Sequence, residues 1–191
     1  DYGGAGSAAY RIHRNLLSNG FNSNMIVVSS KTNDVSVIET NKNKLKFTLQ
    51  RLQNRLLIRL GILGSKYNFY GHWGNAIASL SQIDFLIKDR PDIVVLHWVA
   101  GLIDLKVIKD LQKKYNCKVY WYLMDMGPLT GGCHFAWECE AYTASCKRCP
   151  AVSFPYNNLP SKNFDSKLSA VRKINIELIS CTGWMTKQIN N

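Results

Sequence analysis

Chemistry in this chain concentrates between Asp125 and Pro150. The run reads Met124-Asp125-Met126-Gly127-Pro128-Leu129-Thr130-Gly131-Gly132-Cys133-His134 and continues through Cys139, Cys146 and Cys149. A carboxylate at Asp125, just after an apolar stretch and before a Pro and Gly turn, can accept a hydrogen bond from a hydroxyl of a bound molecule. It can equally order its own turn, since Asp before turns commonly bonds the backbone two residues on. The spacing Cys133-x5-Cys139-x6-Cys146-x2-Cys149, with His134 beside the first thiol, puts five nitrogen and sulfur groups close in sequence. A C-x2-C pair is the knuckle that grips tetrahedral zinc, and two more thiolates would close a site with no open position, a brace and not a catalyst. Two disulfides would staple the same loop in an oxidising compartment, and free thiols are the third reading. A redox role for Cys146 and Cys149 fits less well, because such pairs sit at a helix start directly after a strand. Cys117 and Cys181 adjoin strands and read as inert core residues.

The elements that must position these groups are legible from periodicity. Val119 to Leu123 is a strand leading into Asp125. Before it, Ile93 to Leu96 is an uninterrupted apolar run ending in His97-Trp98, and Asp104 to Tyr115 is a crossover helix with Leu105, Ile108 and Leu111 inward. Continuous apolar runs mark strands of a parallel sheet covered on both faces. Met25 to Val28 and Ile176 to Ser180 are further strands, Ser29 to Lys42 is loop-like, and helices are expected at Ala76 to Ile87, Asp165 to Lys173 and from Gly183 onward. Alternating strands and helices give an α/β fold with a doubly wound, mostly parallel, Rossmann-like sheet, carrying a cysteine-rich loop insertion over 125–155. One domain over residues 1–191 is the natural count. The chain begins within a motif and reads as trimmed at both ends.

At the amino end, glycines at Gly3, Gly4 and Gly6 precede an amphipathic helix with Ala9, Ile12, Leu16 and Leu17 apolar, closed by Asn19-Gly20. A glycine-rich loop opening a helix lets backbone N–H groups approach an anion at the positive end of the helix dipole, with Arg11 on that helix as a candidate phosphate contact. A tight turn into a surface helix is the alternative. Neither this segment nor any other supplies a signal peptide or the run of about 18 apolar residues that a membrane span requires.

The net charge of +11 is local in origin. No acidic residue lies between Glu39 and Asp84, whereas Lys42, Lys44, Lys46, Arg51, Arg55, Arg59 and Lys66 all do. Leu45, Leu49, Leu52, Leu56, Leu60 and Leu63 recur there at helical spacing, with the arginines stepping along another face. A basic amphipathic helix over 44–63 suits an anionic membrane surface, where each cation contributes about 1 kcal/mol. It equally suits a helix that packs its leucines on its own domain.

Taken in order, Gly3-Gly4-Ala5-Gly6 with Ala8-Ala9-Tyr10-Arg11, Leu96-His97-Trp98, Asp125-Met126 with Pro128, Thr130-Gly131-Gly132-Cys133-His134, the spaced cysteines and the Ser180 to Met185 segment resemble bacterial family 4 glycosyltransferases. The resemblance implies a GT-B arrangement of two Rossmann-like domains, of which this chain is the amino-terminal, acceptor-side one, inactive by itself without its carboxy-terminal donor-binding domain. It implies a retaining transfer from a nucleotide-sugar co-substrate to a polysaccharide or lipid-linked acceptor, in the cytoplasm at the inner membrane face. Gly3, Gly4 and Gly6 would then lie near the donor diphosphate, their backbone donors stabilising charge on the leaving nucleotide. The family usually carries a His-Asp pair where this chain has Met124-Asp125, and a Trp where it has Gly127. His97 could stand in for the missing histidine beside the donor sugar, or be a core or capping residue.

Two other classes compete with this reading. One is a zinc-stapled, basic nucleic-acid-binding module using residues 42–66 for phosphate contacts. Against it, the aromatics lie in strand-like runs and are not interleaved with the cations as stacking platforms, so no nucleic-acid partner is expected. The other is a degenerate transferase domain kept for interaction, a role that Met124 and Gly127 would suit.

Overall fold

The computed structural model describes residues 3–40, 44–71 and 77–190, with the side chain of Lys44 excepted. Expectations placed on Asp1, Tyr2, Lys42, Trp73 and Ala76 lie outside the described residues. The order of elements is α1 (Gly3–Ser18), β1 (Met25–Val27), β2 (Val37–Glu39), α2 (Lys44–Arg59), α3 (Leu80–Leu86), β3 (Ile93–Leu96), α4 (Leu105–Tyr115), β4 (Lys118–Leu123), α5 (Leu159–Ile174), β5 (Glu177–Ser180) and α6 (Gly183–Asn190). The class is α/β with parallel strands, compatible with a Rossmann-like fold.

The strands form two sheets, β1-β2 and β3-β4-β5, and every pairing is parallel. Strand β2 falls in the stretch that its polar residues mark as loop. Its three residues are too few to show periodicity, and its pairing to β1 is non-local. A doubly wound arrangement is not seen among the described residues. The register Val94↔Val119, Leu96↔Trp121↔Leu178 aligns one face of the larger sheet. That face enters the main core with Val107, Ile108 and Leu111 of α4, Ile174 of α5 and Met185 of α6. On the opposite face Ile93, Val95 and Ile179 are exposed, so β3 is not covered on both sides as its apolar run predicts. Ile26 of β1 packs against the same core, which joins the two sheets through side chains and not through a ladder.

Helix boundaries follow local chemistry. Asp104 caps α4 by accepting from Val107 N at 2.8 Å, and Asn116 closes it in the left-handed conformation. Ser79 and Gln82 form a reciprocal capping box on α3. Helix α5 starts at Leu159, six residues before the apolar pattern suggests, with Pro160 in its first turn where the missing N–H costs nothing. Cys117 is buried as expected, but Cys181 is exposed, because β5 is an edge strand and the chain turns outward after it.

Helix α1 is tied to Ser23, before β1, and to the β1–β2 loop by polar contacts that centre on the buried His13. His13 is 4% exposed, with Nδ1 2.8 Å from Ser23 Oγ and Nε2 2.8 Å from Ser36 Oγ. Tyr10 and Arg14 both donate to Asp34, at 3.0 and 3.1 Å. The Ser36 hydroxyl and N–H together hold the Asp34 carboxyl well below the usual range. Burial lowers the pKa of His13 from its ordinary value near 6.5. The folded state therefore binds fewer protons than the unfolded one just below that value, and stability falls as pH drops through it. Thermal melts between pH 7.5 and 5.5 should show this loss, and it should be shallower in His13→Gln; equal slopes would contradict the assignment.

Candidate functional site

The carboxyl ends of β3, β4 and β5 carry the residues with chemical potential, as the ligand crevice of open parallel α/β sheets requires. His97 follows β3, Asp125 lies two residues beyond β4, and Cys181-Thr182 leads from β5 into α6. The parallel register Leu96↔Trp121 and Leu123↔Ser180 brings these three ends to one edge.

Asp125 is 4% exposed and fully engaged. Its Oδ1 accepts from Gly127 N at 2.9 Å, closing the turn, and its Oδ2 lies 2.7 Å from His134 Nδ1. A carboxylate only accepts, so Nδ1 is the donor of this pair. Met126 N donates to His134 O at 2.8 Å, so backbone and side chain both hold the histidine to the strand end. The His134 side chain is 42% exposed. Phe135 packs edge-on to the imidazole, with ring centroids 4.7 Å apart, and also meets Trp137 and Trp184 at 5.7 and 6.1 Å. An oriented imidazole beside exposed indole rings offers a hydrogen-bond donor or acceptor next to apolar ring faces.

Beneath the turn, Lys167 of α5 is buried and donates from Nζ to Gly127 O at 2.6 Å. Burial pulls its pKa down to about 7, opposed by Cys146, Asp125 and Cys133. A buried cation beside a buried carboxylate offsets part of the desolvation cost of both. Sequence reasoning missed Lys167, because nothing distinguishes it from other lysines on a helical pattern. It named Asp125 and placed His134 beside the thiols; their pairing across nine residues of irregular chain has no periodic signal.

His97 lies at the same edge. Its ring meets Tyr122 at 5.5 Å, its carbonyl accepts from Trp121 Nε1 at 3.0 Å, and burial lowers its pKa. Its Nδ1 is buried with no hydrogen-bond partner among the described residues. Of the glycines, Gly3, Gly4 and Gly6 lie within α1 and not in a loop before it; Gly3, at φ +77°, opens the helix. Gly3 and Gly4 are exposed with open space where a Cβ would stand, so a ligand can approach their backbone. Arg11 is exposed on the same helix.

The cysteine segment is braced by close backbone packing. A Cβ on Gly131 would stand 2.3 Å from Pro160 O, and one on Gly132, at φ +146°, 2.7 Å from Tyr70 O. Thr130 Oγ1 donates to Cys133 O at 2.8 Å, and Gly64 N to Ala151 O at 2.8 Å. Leu63, Phe69, Cys133, Ala151 and Val152 form a second small core, so the segment has more apolar support than its composition suggests. All six cysteines are free thiols. Cys146 Sγ accepts from Gly131 N at 3.1 Å; Cys133 and Cys149 are hydrogen-bonded to each other, which raises the pKa of the first and lowers that of the second. Cys139 and Cys146 lie near enough to act on Cys133 as charges. Among the described residues, no three His, Cys, Asp or Glu side chains form a metal-holding group.

Gly131→Ala should cost about 3 kcal/mol, because the clash is with α5 backbone and not with a movable side chain. Urea unfolding would measure it, and a loss below about 0.5 kcal/mol would contradict the close packing. Compared with family models, curated proteins and solved structures, the chain matches none.

Proposed function

We propose that this chain is the acceptor-side, Rossmann-like domain of a retaining, GT-B-type glycosyltransferase, moving a sugar from a nucleotide-sugar donor to a polysaccharide or lipid-linked acceptor. The observation that carries the reading is the Asp125–His134 pair at the carboxyl edge of the parallel sheet, flanked by Phe135 and Trp184. Glycosyl transfer develops positive charge at the anomeric carbon and negative charge on the departing diphosphate. A domain contributes by holding hydroxyls and phosphates in place with preorganised dipoles. His134, oriented by Asp125, is suited to hydrogen-bond a sugar hydroxyl, and the indole faces suit the apolar face of a pyranose. The amino-terminal N–H groups of α1, at Gly3 and Gly4, are suited to a phosphate. His97, whose Nδ1 has no hydrogen-bond partner among the described residues, offers a second polar group at that edge. His134 also supplies an imidazole that position 124, a methionine here, lacks, and this favours a working transferase over a degenerate domain.

The test uses the full-length protein and a panel of nucleotide sugars. His134→Ala should lower kcat/KM by about 10²-fold, the range for loss of one positioned polar group. Asp125→Asn should act in the same direction, with the fold retained by circular dichroism. Sugar-nucleotide binding and turnover unchanged in both variants would overturn the assignment. Tight oligonucleotide binding with no sugar-nucleotide binding would favour the nucleic-acid module.

Within this reading the thiol segment braces the mouth. Its spacing suits a structural zinc, although the side chains as placed do not form a coordination shell, and no chemical step is assigned to a metal. Elemental analysis of the protein purified without chelator should find about one zinc per chain, reduced by Cys146→Ser. Metal-free protein of unchanged stability would remove zinc from the proposal.

A further inference from the structure

Helix α2 turns a mixed face into the fold and leaves an apolar face outside it. At ~100° per residue, Phe47, Gln50, Asn54, Leu57 and Ile58 fall together. This is the face that packs inward. Gln50 is buried and accepts from Tyr70 OH at 3.3 Å, Asn54 donates to Phe69 O at 3.1 Å, and Leu57 and Ile58 lean on the small core that includes Cys133. Leu45, Leu49, Leu52, Leu56 and Leu60 fall on the opposite side, within an arc of about 80°. They are 52% to 73% exposed, so the leucine stripe is not the core face of its domain. Leu63 alone of the series is buried. The helix has ended by then, with Gly61 at φ +69° and Ile62 N bonded back to Leu57 O turning the chain inward.

The stripe is flanked by cations. Arg51, Arg55 and Arg59 line one side and Lys46 the other, all exposed. Shallow depressions lie along the arginine side, one among Arg55, Ile58 and Arg59 and one among Thr48, Arg51, Leu52 and Arg55. No carboxylate occurs in the sequence between Glu39 and Asp84, so the helix carries no acidic residue of its own. From this arrangement we infer that α2 lies flat on an anionic phospholipid surface, its leucines in the acyl boundary and its arginines among the phosphates. An exposed apolar row edged by cations is the geometry of an interfacial helix. A second copy of the chain is a poorer occupant: pairing two such stripes would set arginine flanks against arginine flanks with no acidic residue of the helix to match them. A nucleic acid is poorer too, because the most exposed row is leucine and not cation or aromatic. No helix among the described residues is long and apolar enough to cross a membrane.

The surface goes beyond the transferase reading, and sugar-nucleotide binding would survive its failure. The test is co-sedimentation of the full chain with phosphatidylcholine vesicles containing about 30% phosphatidylglycerol, against phosphatidylcholine alone. Binding should depend on the anionic lipid and weaken as salt rises past ~0.1 M. Leu49→Ser with Leu52→Ser and Leu56→Ser should weaken it at least about tenfold, as should Arg51→Gln with Arg55→Gln and Arg59→Gln. These positions are exposed, so circular dichroism and melting should match the parent. Absence of vesicle binding, equal binding to both lipids, or undiminished binding by the leucine variant would overturn the inference. So would a dimer in sedimentation velocity that the leucine variant dissolves while vesicle binding stays nil.

Discussion

The arrangement at the sheet edge depends on a buried carboxylate that must be fully partnered. Asp125 is almost without solvent, so each of its lone pairs left empty would cost the desolvation of a charge. The chain answers with Gly127 N–H on one oxygen and His134 on the other, while Lys167 beneath the turn bonds the Gly127 carbonyl. These three contacts join β4, the glycine-rich turn and α5. They fix the direction in which the imidazole points. Removing the acid would unfasten two of them at once, leaving only the Lys167 bond on the turn, whereas removing the exposed histidine would leave the turn closed.

The glycines of the Thr130-Gly131-Gly132 run act on the same geometry from outside. Gly131 lets the turn come against the first residues of α5, and Gly132 lets it come against Tyr70 and Phe69. Any side chain there would push Cys133 and His134 away from the strand end. Two glycines that sequence reasoning reads as family markers are thus positions where backbone meets backbone. Behind them Cys133 and Cys149 are bonded to each other, and Cys146 accepts from Gly131 N–H.

How much of this was legible in the sequence follows from the range of each interaction. β3, α4, β4 and α6 were readable because periodicity, caps and apolar runs are local, and Asp104 and Asn116 state the limits of α4 in single residues. Asp125 was singled out as a carboxylate after a strand. Its partner was not, since a hydrogen bond across a loop without period leaves no trace in spacing. Strand β2 was missed because its evidence is its neighbour. The start of the amino-terminal helix was misread, because glycines that permit a loop also permit a helix start. The leucine series of α2 shows the sharpest limit: a helical period reports that two faces differ and not which one meets the core. Only the burial of Gln50 and the inward contacts of the half-buried Asn54 and Leu57 decide that.

The proposed transferase role requires a histidine held by Asp125 whose far nitrogen meets the sugar nucleotide. Long-range ¹H–¹⁵N spectra of the imidazoles in the full-length protein read this directly. The His134 signals should report a proton on Nδ1, and its Nε2 should shift when a nucleotide sugar of the panel is added. A His134 protonated only on Nε2, or one whose signals stay fixed under saturating nucleotide sugar, would contradict it.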